Sequence, residues 1–183
     1  MNPISYWQRL KVAFQYVMPQ IYMTQAAGWL AKQKWGAVTH FVIKAFAKKY
    51  NIDMSIAEKE KFSDYASFNE FFIRPLKENA RPINQNPTAL CCPADGRVSE
   101  CGHIEDDRLL QAKGHFFSLN DLLAEDKDLT ETFKNGEFVT TYLSPRDYHR
   151  VHMPCDGTLR KMIYVPGDLF SVNPFLAKHV PNL

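Results

Sequence analysis

The spacing of apolar residues in the first 50 positions is that of α-helices. Apolar side chains recur every three or four residues, which places them on one face of a helix. The pattern predicts helices over 4–17, 21–32 and 37–50, and Pro19 separates the first two. Lys44 lies on the polar face of the third helix, one turn before Lys48. That helix is predicted to bury an apolar set: Phe41, Ile43, Phe46 and Tyr50.

A fourth, short helix is predicted over 68–73. Ser67 and Glu70 have the S-x-x-E spacing of a capping box, in which two side chains satisfy free backbone N–H groups at the start of a helix. Pro75 has no backbone N–H and ends the helix.

The pattern changes at about residue 88, after which apolar segments are short or alternate with polar residues. This is typical of β-strands. Strands are predicted over 89–92, 97–101, 109–113, 138–143 and 158–165. Turn dipeptides separate them: Asp95-Gly96, Asn135-Gly136, Asp156-Gly157 and Pro166-Gly167. One helix interrupts the strands, with Ser118 as its N-cap and Asp121 at the third helical position.

The predicted fold class is therefore α+β. Residues 1–75 form a helical, basic region of amphipathic helices, and residues 88–183 form a β-rich catalytic core, antiparallel and barrel- or sandwich-like. We expect this core to be incomplete and C-terminally truncated, since the last residues do not resemble the natural end of a β domain and apolar strand edges need partners.

The charge of the helical region indicates a membrane surface as a partner. Residues 1–50 contain seven Lys or Arg and no Asp or Glu. All three tryptophans lie there: Trp7, Trp29 and Trp35. Tryptophan and basic residues on amphipathic helices are typical of segments that lie in a bilayer interface. The alternative is a set of helices packed on the domain with their basic residues outward.

A transmembrane helix is not predicted. Residues 12–31 are uncharged, but they include Gln15, Pro19, Gln20 and Gln25, and a span needs about 20 mainly apolar residues. No cleavable signal peptide is recognised either. The four cysteines have no CxxC spacing, so reduced, mostly buried thiols in a cytoplasmic compartment are expected.

The densest group of ionisable side chains lies in the segment 140–156. It contains His149 and His152, three residues apart. In a helix both imidazoles would share a face and could bind a metal, whereas in a strand they would point to opposite faces. Pro145 and Pro154 disfavour a helix, and a third ligand at suitable spacing is missing, so no metal site is predicted. Acid–base chemistry and structural hydrogen bonding remain open for the two histidines.

The sequence PADG at 93–96 suits a turn between two strands. Asp95 then has either a purely structural role or the role of orienting an imidazole and stabilising its protonated form. His152, 57 residues further on, is a candidate for that imidazole.

Six ordered blocks of sequence carry a resemblance to a known family. They are FNEFFIRPL at 68–76, ARPI at 80–83, PADGRVS at 93–99, LQAKGH at 110–115, FVTTYLSPRDYHRVHMPCDG at 138–157 and YVPGDLFSVNP at 164–174. In these blocks the chain resembles the bacterial membrane form of phosphatidylserine decarboxylase, which makes phosphatidylethanolamine.

The resemblance implies a self-cleaving proenzyme. In that family a serine in a Gly-Ser motif attacks the preceding carbonyl, the chain splits, and the serine becomes a pyruvoyl group on the new small subunit. By position, Asp95 resembles the acid and His152 the base of this cleavage, and His149 resembles the histidine associated with decarboxylation. The pyruvoyl group supplies the electron sink that pyridoxal phosphate supplies in other decarboxylases.

One part of the family pattern is absent, since these 183 residues contain no Gly-Ser dipeptide. The expectation is that the chain is the N-terminal, β-subunit portion and that the pyruvoyl-forming serine lies beyond residue 183. Expected partners are the pyruvoyl-bearing α subunit and phosphatidylserine in an anionic membrane, at the cytoplasmic face of the bacterial inner membrane. A homodimer is allowed, and no nucleic acid is expected.

Two other functions remain as alternatives. The first is a catalytically inactive lipid-surface binding fragment of the same fold. The second is a histidine-dependent metallohydrolase, which requires a stoichiometric metal ion.

Overall fold

A computed structural model describes residues 5–112 and 115–180. It contains helices and antiparallel strands, so the predicted α+β class is confirmed. The elements in chain order are α1 (Tyr6–Val17), α2 (Gln20–Ala31), α3 (Ala37–Tyr50), a 3₁₀ turn (Phe62–Asp64), α4 (Phe68–Phe72), β1 (Arg97–His103), β2 (Arg108–Ala112), β3 (His115–Ser118), α5 (Leu119–Leu122), α6 (Lys127–Phe133), β4 (Glu137–Tyr142) and α7 (Pro174–Ala177).

The predicted N-terminal helices are confirmed, and their ends have local causes. Ser5 caps α1 through a capping box: its hydroxyl accepts from the Gln8 N–H, and the Gln8 side chain accepts from the Ser5 N–H at 2.9 Å. Pro19 lies in the short break between α1 and α2. No described helix is long and apolar enough to cross a membrane.

Helices α3 and α4 pack around a small apolar core. Ile43, Ala47, Tyr65 and Phe71 are its buried members. Ile43 is fully buried as predicted, but the predicted burial of Phe41 is wrong, since that side chain is 73% exposed. Two residues along a helix correspond to a rotation of about 200°, so Phe41 and Ile43 lie on opposite faces.

The start of α4 differs slightly from the predicted capping box. The Ser67 hydroxyl accepts from the Glu70 N–H at 3.1 Å, as expected. The Glu70 carboxylate, however, accepts from the N–H of Ala66 at 2.9 Å instead of that of Ser67, and it also pairs with Lys59. Both side chains therefore stabilise the start of the helix, but not in the reciprocal geometry.

The described strands form two two-stranded sheets, β1 with β4 and β2 with β3, and no closed barrel. Strands β2 and β3 are antiparallel, with Leu109 opposite Phe117 and an irregularity between Leu110 and Ala112. Ile104, Leu109 and Leu119 form a second buried core beside them.

Two predicted strands do not form. Segments 89–92 and 158–165 carry no strand, and every residue from 158 to 165 is exposed. An alternating sequence forms a strand only where a partner strand accepts its hydrogen bonds, and none of the described strands pairs with either segment. The predicted strand 109–113 ends on Lys113, which lies outside the described residues. Four elements were not anticipated: the 3₁₀ turn, β3, α6 and α7.

The chain's contacts divide it into two compact units. One comprises residues 1–24, 98–140 and 161–183, and the other comprises residues 25–97 and 141–160. The predicted division into 1–75 and 88–183 stays a prediction. All three predicted site residues belong to the second unit. The four cysteines are free, and the expected burial of their thiols is wrong, because Cys92, Cys101 and Cys155 are exposed and Cys91 is half-buried.

Candidate active site

The backbone brings the turn at 93–96 beside His152. The His152 N–H donates to the carbonyl of Pro93 at 2.7 Å, and the Cys91 N–H donates to the carbonyl of Pro154 at 2.8 Å. The turn itself requires glycine: Gly96 has a φ of +148°, and a Cβ there would lie 2.4 Å from the carbonyl oxygen of Tyr142. Two segments far apart in sequence are thus joined by hydrogen bonds within four residues of Asp95.

Arg81 holds the carboxylate of Asp95. Its Nε donates to Oδ1 at 2.9 Å and to Oδ2 at 3.1 Å, and its Nη2 also donates to Oδ2. The Asp95 side chain is 23% exposed. Among the described residues, no hydrogen bond joins this carboxylate to an imidazole. The structure thus brings Asp95 near the backbone of His152, while the direct partner of its charge is an arginine.

His152 is exposed and pairs with Tyr148. Its Nε2 lies 3.0 Å from the Tyr148 hydroxyl oxygen, and the two rings stack at 17° with centroids 5.5 Å apart. Tyr148 is buried, so the hydroxyl is held in place by packing. Either group can be the donor, because both a phenol and a neutral imidazole can donate and accept.

His149 is half-buried, and its protonation can be deduced from its contacts. Its Nε2 lies 3.1 Å from the carbonyl oxygen of Ser144. A carbonyl only accepts, so Nε2 carries the hydrogen and the lone pair of the neutral ring lies on Nδ1. Burial lowers the pKa of His149 below its usual value; the Ser144 carbonyl and Asp147 oppose this effect, and Arg74 reinforces it. Burial therefore favours the neutral form of the imidazole.

The loop that carries His149 is shaped by Asp147. Its carboxylate accepts from the Ser144 N–H at 2.7 Å and from the Ser144 hydroxyl at 2.8 Å. This side-chain closure of a turn fixes the Ser144 carbonyl, which is the hydrogen-bond partner of His149. His149 and His152 consequently have different partners and different environments, although three residues separate them.

No cluster of three or more His, Cys, Asp or Glu suited to a metal ion occurs within 5–112 and 115–180.

Three neighbours of the predicted site were not anticipated. Arg81 lies in the ARPI block, but the sequence of that block does not indicate that Asp95 is its partner. Tyr148 lies four residues before His152, a spacing that brings side chains together only in a helical turn. Arg74 is 2% exposed, and its Nη2 donates to the Arg146 carbonyl at 3.3 Å. Its Nε and Nη1 have no hydrogen-bond partner among the described residues.

Comparison with known proteins places the chain in a family. The family model described as phosphatidylserine decarboxylase matches residues 68–183, and a second one, described as PSD, matches residues 10–51. The chain belongs to the phosphatidylserine decarboxylase family. The family predicted from the six sequence blocks is confirmed.

Curated relatives named phosphatidylserine decarboxylase proenzyme match almost the whole chain. The one from Haemophilus influenzae strain Rd is 89% identical over 183 residues, which is 100% of this chain and 63% of the relative. The one from Pasteurella multocida is 80% identical over 98% of this chain and 61% of its own length, and that from Histophilus somni strain 2336 is 76% identical over the same shares. The chain thus spans less than two thirds of the length of these relatives.

Proposed function

We propose that this chain is the β-subunit portion of a phosphatidylserine decarboxylase proenzyme. In this proposal the assembled protein cleaves itself and then converts phosphatidylserine to phosphatidylethanolamine. The family match over residues 68–183 and the names of the relatives support the proposal. The structural observation that carries it is the hydrogen bond from His152 to Pro93, since it joins the turn of Asp95 to the segment of both histidines.

His152 is the proposed base of self-cleavage. A serine hydroxyl becomes a good nucleophile when a neighbouring base accepts its proton, and His152 has an exposed imidazole that an incoming hydroxyl can reach. Asp95 is the proposed acid that stabilises the protonated ring. Its fork with Arg81 orients this carboxylate, which supports that role.

His149 is the proposed proton-handling group of decarboxylation. A neutral imidazole with a free lone pair on Nδ1 takes up and returns a proton without first losing one to solvent. The hydrogen bond from Nε2 to the Ser144 carbonyl fixes which nitrogen is available.

The cofactor proposed for this family member is a pyruvoyl group, made from a serine that is not among the 183 residues. When bound, such a group supplies a carbonyl that accepts electron density as CO₂ departs. The residues present fit it: the hydrogen bond between Tyr148 and His152 leaves this pair one further hydrogen, which can be donated to an oxygen atom of the group. These two side chains would hold the group.

Helices α1 and α2 are proposed to bind the membrane peripherally, at the cytoplasmic face of the bacterial inner membrane. None of their residues is buried. Large apolar side chains are exposed on both, among them Trp7 at 74% and Trp29 at 61%. Basic residues with no acidic neighbours within residues 1–50 suit an anionic lipid surface.

A chimera tests the proposed function. In the Haemophilus influenzae relative, the matching segment is replaced by this chain, and the product is called the chimera below. Denaturing mass spectrometry should show two chains, the smaller with a blocked N-terminus, and phosphatidylserine vesicles should release CO₂. His152→Ala should leave one uncleaved chain, because the serine then has no base.

A single intact chain that is nevertheless active would contradict self-cleavage, and normal cleavage of His152→Ala would contradict the role of that residue. A chimera that binds vesicles without cleavage or CO₂ release would instead favour the inactive lipid-binding alternative.

A further inference from the structure

The segment 72–74 contacts the loop of His149 in three ways. The ring of Phe72 stacks on the imidazole of His149, with centroids 4.1 Å apart and planes at 21°. The Arg150 Nε donates to the carbonyl of Ile73 at 2.8 Å. In the opposite direction, the Arg74 Nη2 donates to the carbonyl of Arg146 at 3.3 Å. Three consecutive residues therefore hold a loop that lies more than 70 positions away in sequence.

Phe72 is itself fixed by the core beneath it. Its ring stacks on Phe68 at 5.9 Å and 22°, and Phe68 meets Phe46 edge to face at 5.0 Å. Phe46 and Phe68 both pack against the buried cluster that contains Phe71. Phe68, Phe72 and His149 thus form one continuous aromatic column, which begins at the buried cluster and ends at the imidazole.

The column controls the surroundings of His149 as well as its position. A stacked ring covers one face of the imidazole and excludes water there, which disfavours the charged form. The charged groups that act on this imidazole are Asp147, from its own loop, and Arg74, from the segment after α4. Asp147 is already engaged by Ser144, and Arg74 is buried, so the imidazole faces a fixed arrangement of charge.

We propose that Phe72 is a positioning residue for the decarboxylation step, with the contacts of Ile73 and Arg74 as its supports. It holds the neutral imidazole of His149 with Nε2 on the Ser144 carbonyl and Nδ1 available. The inference rests on the proposed function, because it assigns Phe72 a role through His149. It distinguishes two roles: the segment 72–74 positions the histidine of decarboxylation, whereas His152 is the base of self-cleavage.

The test uses Phe72→Leu in the chimera, with Phe68→Leu as the matched control. Both variants remove the same ring from the same column, but only Phe72 touches His149. Phe72→Leu should self-cleave normally, while kcat for decarboxylation falls about 10- to 100-fold at unchanged KM, since small misplacements of a reacting group are costly. Phe72→Trp restores a stacking surface and should recover most of the rate.

The pH dependence of kcat is a measurement that a loss of packing alone does not change. In Phe72→Leu the imidazole of His149 regains water, so its pKa should rise toward the usual histidine value, as followed by NMR of labelled histidine and by the acidic limb of kcat. Phe68→Leu should not shift the acidic limb of kcat.

Arg150→Ala removes only an exposed support and should lower kcat about threefold without loss of folding.

The results of these experiments distinguish the proposed role of Phe72 from the proposed function of the chain. If the wild-type chimera releases CO₂ and Phe72→Leu changes neither kcat nor the pKa of His149, the role of Phe72 is overturned and the proposed function stands. Equal losses in Phe68→Leu and Phe72→Leu also overturn that role. A folded wild-type chimera without decarboxylase activity overturns the proposed function, and the role of Phe72 with it.

Discussion

Helices α1 and α2 differ from α3 and α4 in what their apolar faces contact. In α1 and α2 no residue is buried, although Trp7, Phe14 and Trp29 have the size of core side chains. In α3 and α4, by contrast, Ile43 and Phe71 are completely buried. The apolar spacing of three and four residues is present in α1 as well as in α3, so the spacing alone does not distinguish them.

The difference lies in the partners that the remaining sequence provides. The faces of α3 and α4 meet each other and the 3₁₀ turn, and a cluster of aromatic rings fills the space between them. By contrast, Trp7 in α1 and Trp29 in α2 remain 74% and 61% exposed, so the described chain provides no surface that covers them. An amphipathic pattern therefore predicts a helix, whereas burial depends on a complementary surface elsewhere in the chain.

The largest expected difference between the two regions is in stability. Phe71→Ala should lower the free energy of unfolding of the chimera by about 3–5 kcal/mol, because it leaves a cavity in a closed core. Phe14→Ala, at an exposed position of α1, should change it by less than about 0.5 kcal/mol. Chemical denaturation measures both, and equal losses would show that α1 has a packed partner.

A smaller effect is expected on membrane binding, and here the exposed side chains of α1 should matter most. Trp7→Ala and Phe14→Ala should each weaken binding to phosphatidylserine vesicles about tenfold, since one aromatic side chain contributes about 1.5 kcal/mol when it enters an apolar phase. Phe133→Ala removes a ring from α6 that is 51% exposed, against 58% for Phe14, and should have no effect.

Added salt should weaken the same binding, because attraction between exposed charges is screened over about 8–10 Å at physiological ionic strength. Binding that is independent of salt, or equal losses at Phe133 and Phe14, would remove the argument that α1 and α2 form the membrane surface.

The smallest expected effect is a loss of folding stability at low pH. In the α4 region the pKa of Glu70 lies below its usual value, because Lys59 and the Ala66 N–H stabilise the carboxylate. A carboxyl with a lowered folded-state pKa stabilises the fold above its unfolded pKa, and this stability is lost as the pH falls through the folded value. Residues 1–50, with no Asp or Glu, have no such group.

Titration of the unfolding free energy from pH 6 to pH 3 should therefore show a loss that shrinks in Lys59→Met. The difference should be small, because the Glu70 side chain is 38% exposed and solvent screens the pair. An unchanged acid profile in that variant would mean that Lys59 does not stabilise the carboxylate.

The local features of the fold were predictable because their causes lie within a few residues. The ranges of α1, α2 and α3, the break at Pro19 and the N-caps at Ser67 and Ser118 follow from spacing and from side chains that reach their own backbone. The family was also predictable, since six ordered blocks identify it without any knowledge of geometry. The assignments of Asp95, His149 and His152 as site residues stay predictions.

The tertiary structure decided which partner each of these groups has. Sequence indicated that Asp95 and two histidines belong to one site, but it did not predict that Arg81 holds the carboxylate, that Tyr148 pairs with His152, or that Phe72 stacks on His149. The same limit explains why the segment 158–165 forms no strand, whereas the exposure of Phe41 follows from the helical rotation that separates it from Ile43. Periodicity and capping act over one or two turns of chain, whereas pairing and burial depend on surfaces that only folding brings together.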